Sequence, residues 1–169
     1  MKKSISYWTL GGFGGEVPIL EAAKTADSLG FDAIELCYGA GELTPAASVG
    51  ELVALKKAFD KEGLNVSSMA SGNYWGQSLS SADESERHEA IAFTRAYIEA
   101  AALFKVEHIL VVPGAVDVPW DPAKGVVPAR EAWELSTQSL EAVLPLAEEK
   151  GVTICVENVW NKFLTGPFE

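Results

Sequence analysis

Five short apolar runs, separated by longer amphipathic stretches with no hairpin signal between them, constrain this chain more than any other feature. The runs fall at Ile5–Trp8, Ala33–Cys37, Asn65–Ala70, His108–Val112 and Val152–Val156. Between the first two, Val17–Leu29 carries Ile19, Leu20, Ala23 and Ala26 at one-face helical spacing, and Gly30 closes it. Val49–Glu62 repeats the pattern with Leu52, Leu55 and Phe59 before Gly63. Asp83–Phe104 is predicted as a long helix capped by Ser81 or Asp83, its apolar face Ile91, Ala92, Tyr97, Ile98 and Leu103. Ala129–Lys150 is the fourth, opened by Pro128 and followed by Gly151, with Pro145 expected to kink or divide it.

Strand and helix alternating in this way imply a parallel sheet with helices packed on it. Right-handed crossovers leave two solutions, an open doubly wound sheet or a (β/α)8 barrel. A barrel takes about 250 residues, so 169 hold about five of its eight units. An open sheet would fit the length comfortably. No linker or low-complexity segment divides the chain, so residues 1–169 are expected to form a single domain.

A hydrophobic content of 48% suits an ordinary globular core. The formal charge of −11 disfavours nucleic acid as a partner, because a phosphate backbone calls for a basic footprint. Met1-Lys2-Lys3 leads into a stretch too short and polar for a signal sequence, and no run is long enough to span a bilayer. A soluble, cytoplasmic protein with no membrane partner is expected. Cys37 and Cys155 both lie in apolar strand-like runs, where a thiol behaves as a small buried hydrophobe, and both are read as free.

The chemistry-bearing candidates sit where the runs end. Glu157 follows Val152–Val156, and a carboxylate at the C-terminal end of a parallel strand is where α/β enzymes place catalytic or metal-binding groups. The alternative is a solvated acid paired with Lys162 or Lys150. Glu35, near the end of the second run, is either a site residue or a rim carboxylate held by local donors. Lys162 could meet a substrate phosphate or pair with Glu157. Trp8 and Trp160 stand close to strand ends and could line an apolar wall of a site there. His108 begins a strand, at the end of a parallel barrel that serves stability, and His88 lies among charges on a helix. The glycines Gly11, Gly12, Gly14 and Gly15 do not match a dinucleotide fingerprint, since Val17 takes the third glycine's place, and they read as a mobile rim loop.

The segment VENVWNKF, from Val156 to Phe163, resembles the xylose isomerase-like sugar phosphate isomerase/epimerase family. WTLGGF, GFDAIEL and LVVPG follow that family's order along the chain. The resemblance implies an incomplete (β/α)8 TIM barrel, α/β in class, truncated after strand five. It implies Glu157 as a ligand of a divalent metal, Mn²⁺ or Mg²⁺, and as one acid/base. Its substrate-side candidates here are Trp8, Glu35, Trp160 and Lys162. The family's remaining ligands, an Asp, a His and a second Glu, come from strands six to eight, which this sequence does not contain. The implied chemistry removes a proton beside a ketose carbonyl through an enediolate and returns it elsewhere, on a small-molecule sugar or sugar phosphate.

The rival readings are an inosose-type dehydratase of the same superfamily and a non-catalytic half-barrel that binds without turnover. A DNA-repair endonuclease of this barrel type needs a His-rich cluster that two histidines do not supply. If the barrel reading holds, strands one to five run parallel in sequential order, with Glu35 and Glu157 at one rim and His108 at the other end. Strands one and five are then exposed edges, which calls for a homo-oligomer or a C-terminal half to cover them.

Overall fold

The computed structural model describes residues 1–10, 12–158 and 161–164. Strands β1 (Ser4–Ser6), β2 (Ala33–Cys37), β3 (Asn65–Ala70), β4 (His108–Val111) and β5 (Thr153–Val156) alternate with helices α1 (Ile19–Ser28), α2 (Val49–Glu62), α3 (Glu84–Leu103), α4 (Ala129–Glu141) and α5 (Leu144–Lys150). Every neighbouring pair is parallel and the order is β1-β2-β3-β4-β5. The order switch that a doubly wound sheet requires does not occur among these strands. Right-handed crossovers between sequential strands deliver every helix to the same face.

The burial pattern follows from that one-sided cover. Ile34, Leu36, Met69, Ile109 and Val111 are buried on the helix-covered face. The alternate set, Ser4, Ser6, Ala33, Glu35, Ser68, His108, Leu110, Thr153 and Cys155, lines the open face by register. Small and polar residues dominate there, so this face cannot pack upon itself as the bulky interior layers of an ordinary barrel do.

Local signals explain the helix boundaries. Ser48 and Glu51 form a complete capping box on α2, and the Asp83 carboxylate accepts from the Ser85 and Glu86 amides to start α3. Pro145 cannot donate an amide hydrogen and would crowd the Glu141 carbonyl, so the predicted fourth helix breaks into α4 and α5. Ile19 opens α1 rather than Val17, because Pro18 occupies the cap position; Glu42, from a distant loop, accepts the Ile19 amide at 2.8 Å.

Three further expectations are corrected. The first strand stops at Ser6, and residues Tyr7–Leu10 turn into a 3₁₀ helix closed by Thr9 donating to the Ser6 carbonyl at 2.6 Å. The buried Tyr7 ring draws the chain in, its hydroxyl donating to the Val17 carbonyl. On α3 the buried stripe is Ala90, Phe93, Thr94, Tyr97, Ile98 and Ala101, so Ala92 faces out. Tyr97 stacks on Tyr38 at 5.2 Å, and that pair sets which face turns inward. Cys37 is buried, but Cys155 is exposed, because its side of β5 belongs to the open face. Among the described residues no helix is long and apolar enough to cross a membrane.

Candidate functional site at the C-terminal rim

Glu157 extends β5 by one residue. Its amide donates to the Val111 carbonyl at 3.0 Å, which continues the β4–β5 ladder past the last strand residue. Strand alternation puts its side chain on the open face with Thr153 and Cys155. The carboxyl is partly buried. Burial pushes its pKa above the usual carboxylate range, and the negative charge of Glu35 adds to the rise. Neither Lys150, which pairs with Glu149 at 3.0 Å, nor Lys162 meets it.

Glu35 stands on the same face of β2. The Ser68 hydroxyl donates to its carboxylate at 2.8 Å, across a register shift between β2 and β3. Two carboxylates thus share one face, and neither pairs with a lysine or arginine among the described residues. Such oxygen donors with uncompensated charge fit a hard divalent cation. They do not complete a site, since no group of three or more His, Cys, Asp or Glu is gathered among the described residues.

At the ends of β1 to β3 lies a cleft of about 450 Å³ walled by Trp8, Phe13, Cys37, Gly72 and Trp75. Trp8 stacks on Phe13 with ring centroids 5.6 Å apart and planes 9° from parallel. The Cys37 thiol is pushed up by burial, an effect opposed by hydrogen bonds from Trp8 and the Gly72 backbone. The glycine-rich stretch serves close packing. A side chain at Gly12 would sit 2.1 Å from the Tyr7 ring, and the Gly14 amide already donates to Glu16 at 2.9 Å.

Of the two readings for Lys162, the pairing with Glu157 does not occur. Lys162 pairs with Asp117 at 2.5 Å on the loop after β4. Trp160 lies outside the described residues. His108 sits exposed at the start of β4, the end opposite Glu157, and His88 is exposed on α3 within 4.0 Å of Glu84.

Sequence reasoning missed the residues that join the rim loops. Asn161 is fully buried; its side-chain amide nitrogen donates to the Gly114 carbonyl at 2.9 Å and its backbone carbonyl accepts the Val116 amide. Lys124 reaches Glu86 at 2.8 Å and the Gly76 carbonyl at 2.7 Å, tying the loop after β4 to the loop after β3. Ser80 holds Ala115 from beneath, accepting its amide at 2.9 Å. The only local hint was polar residues inside otherwise apolar segments, which alone does not distinguish a buried tie from a solvated surface.

The profile of the xylose isomerase-like TIM barrel family matches residues 23–168. No curated protein matches the chain significantly. Among solved structures, a D-psicose 3-epimerase from Clostridium cellulolyticum H10, determined with D-tagatose, is 25% identical with a TM-score of 0.79. The alignment covers 97% of this chain and 55% of that one. An L-ribulose 3-epimerase is 22% identical with a TM-score of 0.72, over 94% of this chain and 50% of the other. A 3-keto-D-glucoside 4-epimerase from E. coli is 21% identical with a TM-score of 0.69, over 95% and 57%. The last two likenesses concern the fold alone. This chain spans about half the length of the structures it matches.

Proposed function

Because the chain belongs to the xylose isomerase-like TIM barrel family, we propose that it forms the β1–β5 part of a sugar isomerase or epimerase acting beside a ketose carbonyl. The observation that carries this reading is Glu157, a carboxyl at the end of β5, on the open face, with its pKa raised by burial and by Glu35. A raised pKa brings a carboxyl closer to the working pH, where one group can both take and return a proton.

In this reading Glu157 removes the proton from the carbon next to the carbonyl, leaving an enediolate. Return of that proton by Glu157 to the neighbouring carbon gives the isomer, whereas epimerisation needs a second acid on the opposite face of the enediolate to supply a proton there. Glu157 would also supply one oxygen ligand to a divalent metal, Mn²⁺ or Mg²⁺; that ion, when bound, stabilises negative charge on the substrate oxygens. Glu35, kept in place by Ser68, raises the basicity of Glu157 and stands where it can accept a hydrogen bond from a sugar hydroxyl. Trp8 and Phe13 offer an apolar wall for the sugar's carbon face, and their cleft is the right order of size for a monosaccharide.

The test uses a barrel-length protein containing this chain, supplied with Mn²⁺ in deuterated water. D-fructose and D-tagatose should gain deuterium at the carbon beside the carbonyl and yield the C3 epimer. Glu157→Gln should lower turnover by more than about tenfold, or about 1.4 kcal/mol of transition-state stabilisation. No exchange with any of a panel of ketoses and ketose phosphates would rule the reading out.

A further inference from the structure

Glu157 is tied to the last residue of β4, and Asn161 to the loop that follows directly after it. The Glu157 amide donates to the Val111 carbonyl at 3.0 Å. The Asn161 side chain donates to the Gly114 carbonyl at 2.9 Å, and the Asn161 backbone carbonyl accepts the Val116 amide at 3.2 Å. The next residue, Lys162, pairs with Asp117, and its backbone lies in the left-handed region at φ 65°, which a lysine adopts only where the surroundings impose it.

The stretch that receives these bonds is itself anchored. Ser136 of α4 donates to the Pro113 carbonyl at 2.8 Å, and Ser80 both accepts from the Ala115 amide and donates to its carbonyl. Pro113, Gly114 and Ala115 are all buried. Asn161 therefore joins the segment carrying Glu157 to a part of the fold that cannot shift without breaking several buried hydrogen bonds. An apolar residue of similar size would fill the space but could not grip the Gly114 carbonyl.

We infer that Asn161 is a positioning residue for Glu157, with the Lys162–Asp117 pair reinforcing it from the exposed side. The inference rests on the proposed role of Glu157 for its catalytic consequence, though not for its structural one. Asn161 acts as a second anchor on the β4 side, four positions after Glu157, so the Glu157 carboxylate is presented at one place on the open face. A carboxylate free to wander by an ångström loses much of its reactivity without losing its chemistry.

The experiment compares Asn161→Ala and Lys162→Met with the parent. Amide hydrogen exchange is read on the 169-residue chain, and steady-state kinetics on the barrel-length protein. Asn161→Ala should speed exchange of the Glu157 amide at least tenfold while the amides of Leu110 and Cys155 keep their protection. It should lower kcat at least tenfold with KM changed less than twofold; Lys162→Met, at an exposed pair, should do the same to a smaller degree. Unchanged Glu157 exchange in Asn161→Ala overturns the inference, as does an equal loss of protection at all three amides, which would mark a general role in folding. A parallel Glu157→Gln keeps the two ideas apart. If that variant retains full turnover the functional reading fails, while the exchange measurement still decides the part played by Asn161.

Discussion

The Ser68 hydroxyl donates to the Glu35 carboxylate at 2.8 Å because the β2–β3 register slips by one residue between Ile34 and Glu35. In an unbroken ladder Ser67 would stand beside Glu35. Instead Ser67 is released to meet Ser4 at 2.7 Å, and Glu35 receives the Ser68 hydroxyl. A fixed negative charge is thereby held on the open face, where it acts on Glu157.

That coupling is measurable. Glu35→Gln should lower the pKa of Glu157 towards its ordinary value, though not fully, because burial is the larger cause of the rise. A ¹³C titration of the Glu157 carboxyl in both proteins reads this directly, and an identical midpoint would disprove it. Stability gives a second readout. A raised pKa means the folded state holds the Glu157 proton more tightly than the unfolded chain. The resulting stabilisation is complete below the unfolded value and is lost as pH rises through the folded one. Glu157→Gln, which has no proton to lose, should therefore raise Tm at pH 7 and lose that advantage as the pH falls below the ordinary carboxylate range.

The 169-residue chain should hold Mn²⁺ only weakly. Its described carboxylates provide one or two donors, and no group of three is gathered among the described residues. Calorimetric titration should find dissociation in the millimolar range, as expected for an incomplete oxygen site. Stoichiometric micromolar binding would contradict the expectation that the remaining ligands lie on other strands.

Lys124→Met should destabilise the fold by about 1 kcal/mol or more, since a partly buried, charge-assisted tie to Glu86 is lost. Burial opposes ionisation of Glu86, but the Lys124, Ser78 and Ser81 hydrogen bonds outweigh it and hold its pKa below the usual range. The corresponding stability is present above the unfolded carboxylate value and drains away as pH falls through the folded one. Thermal melts from pH 7 to pH 3 should show a smaller acid-induced loss in Lys124→Met than in the parent. Parallel curves would show that Lys124 contributes nothing through Glu86.

Gly114→Ala should cost about 1–3 kcal/mol, because the added methyl carbon would lie 2.4 Å from the Ser80 hydroxyl. Ser80→Gly opens that space while removing the hydroxyl that holds Ala115. The double variant should consequently be more stable than the sum of the two single losses, a coupling that denaturant titration can resolve. Strict additivity would mean that the loop relaxes away from Ser80 without strain.

Much of the architecture was present in local signals. The five apolar runs, the capping residues Ser48 and Asp83, and the interruption at Pro145 are each set by neighbours a few residues apart, so a linear reading recovers them. The motif around Glu157 likewise marks the family, whose profile matches residues 23 to 168. Other features depend on contacts that sequence spacing does not encode. Lys162 meets Asp117, 45 positions away, in preference to Glu157, because its backbone turns the side chain towards the loop after β4. Glu42 caps a helix 23 positions earlier, and Asn161 finds the Gly114 carbonyl at a separation of 47. Cys155 looks buried in a run of apolar neighbours, yet exposure depends on which sheet face it shares, and only the register with Leu110 decides that. Periodicity and capping act through the covalent chain and its nearest turns, so the sequence alone determined the elements and their order. Which polar groups close upon one another was decided by sheet register and loop packing, where distant segments compete for the same few donors and acceptors.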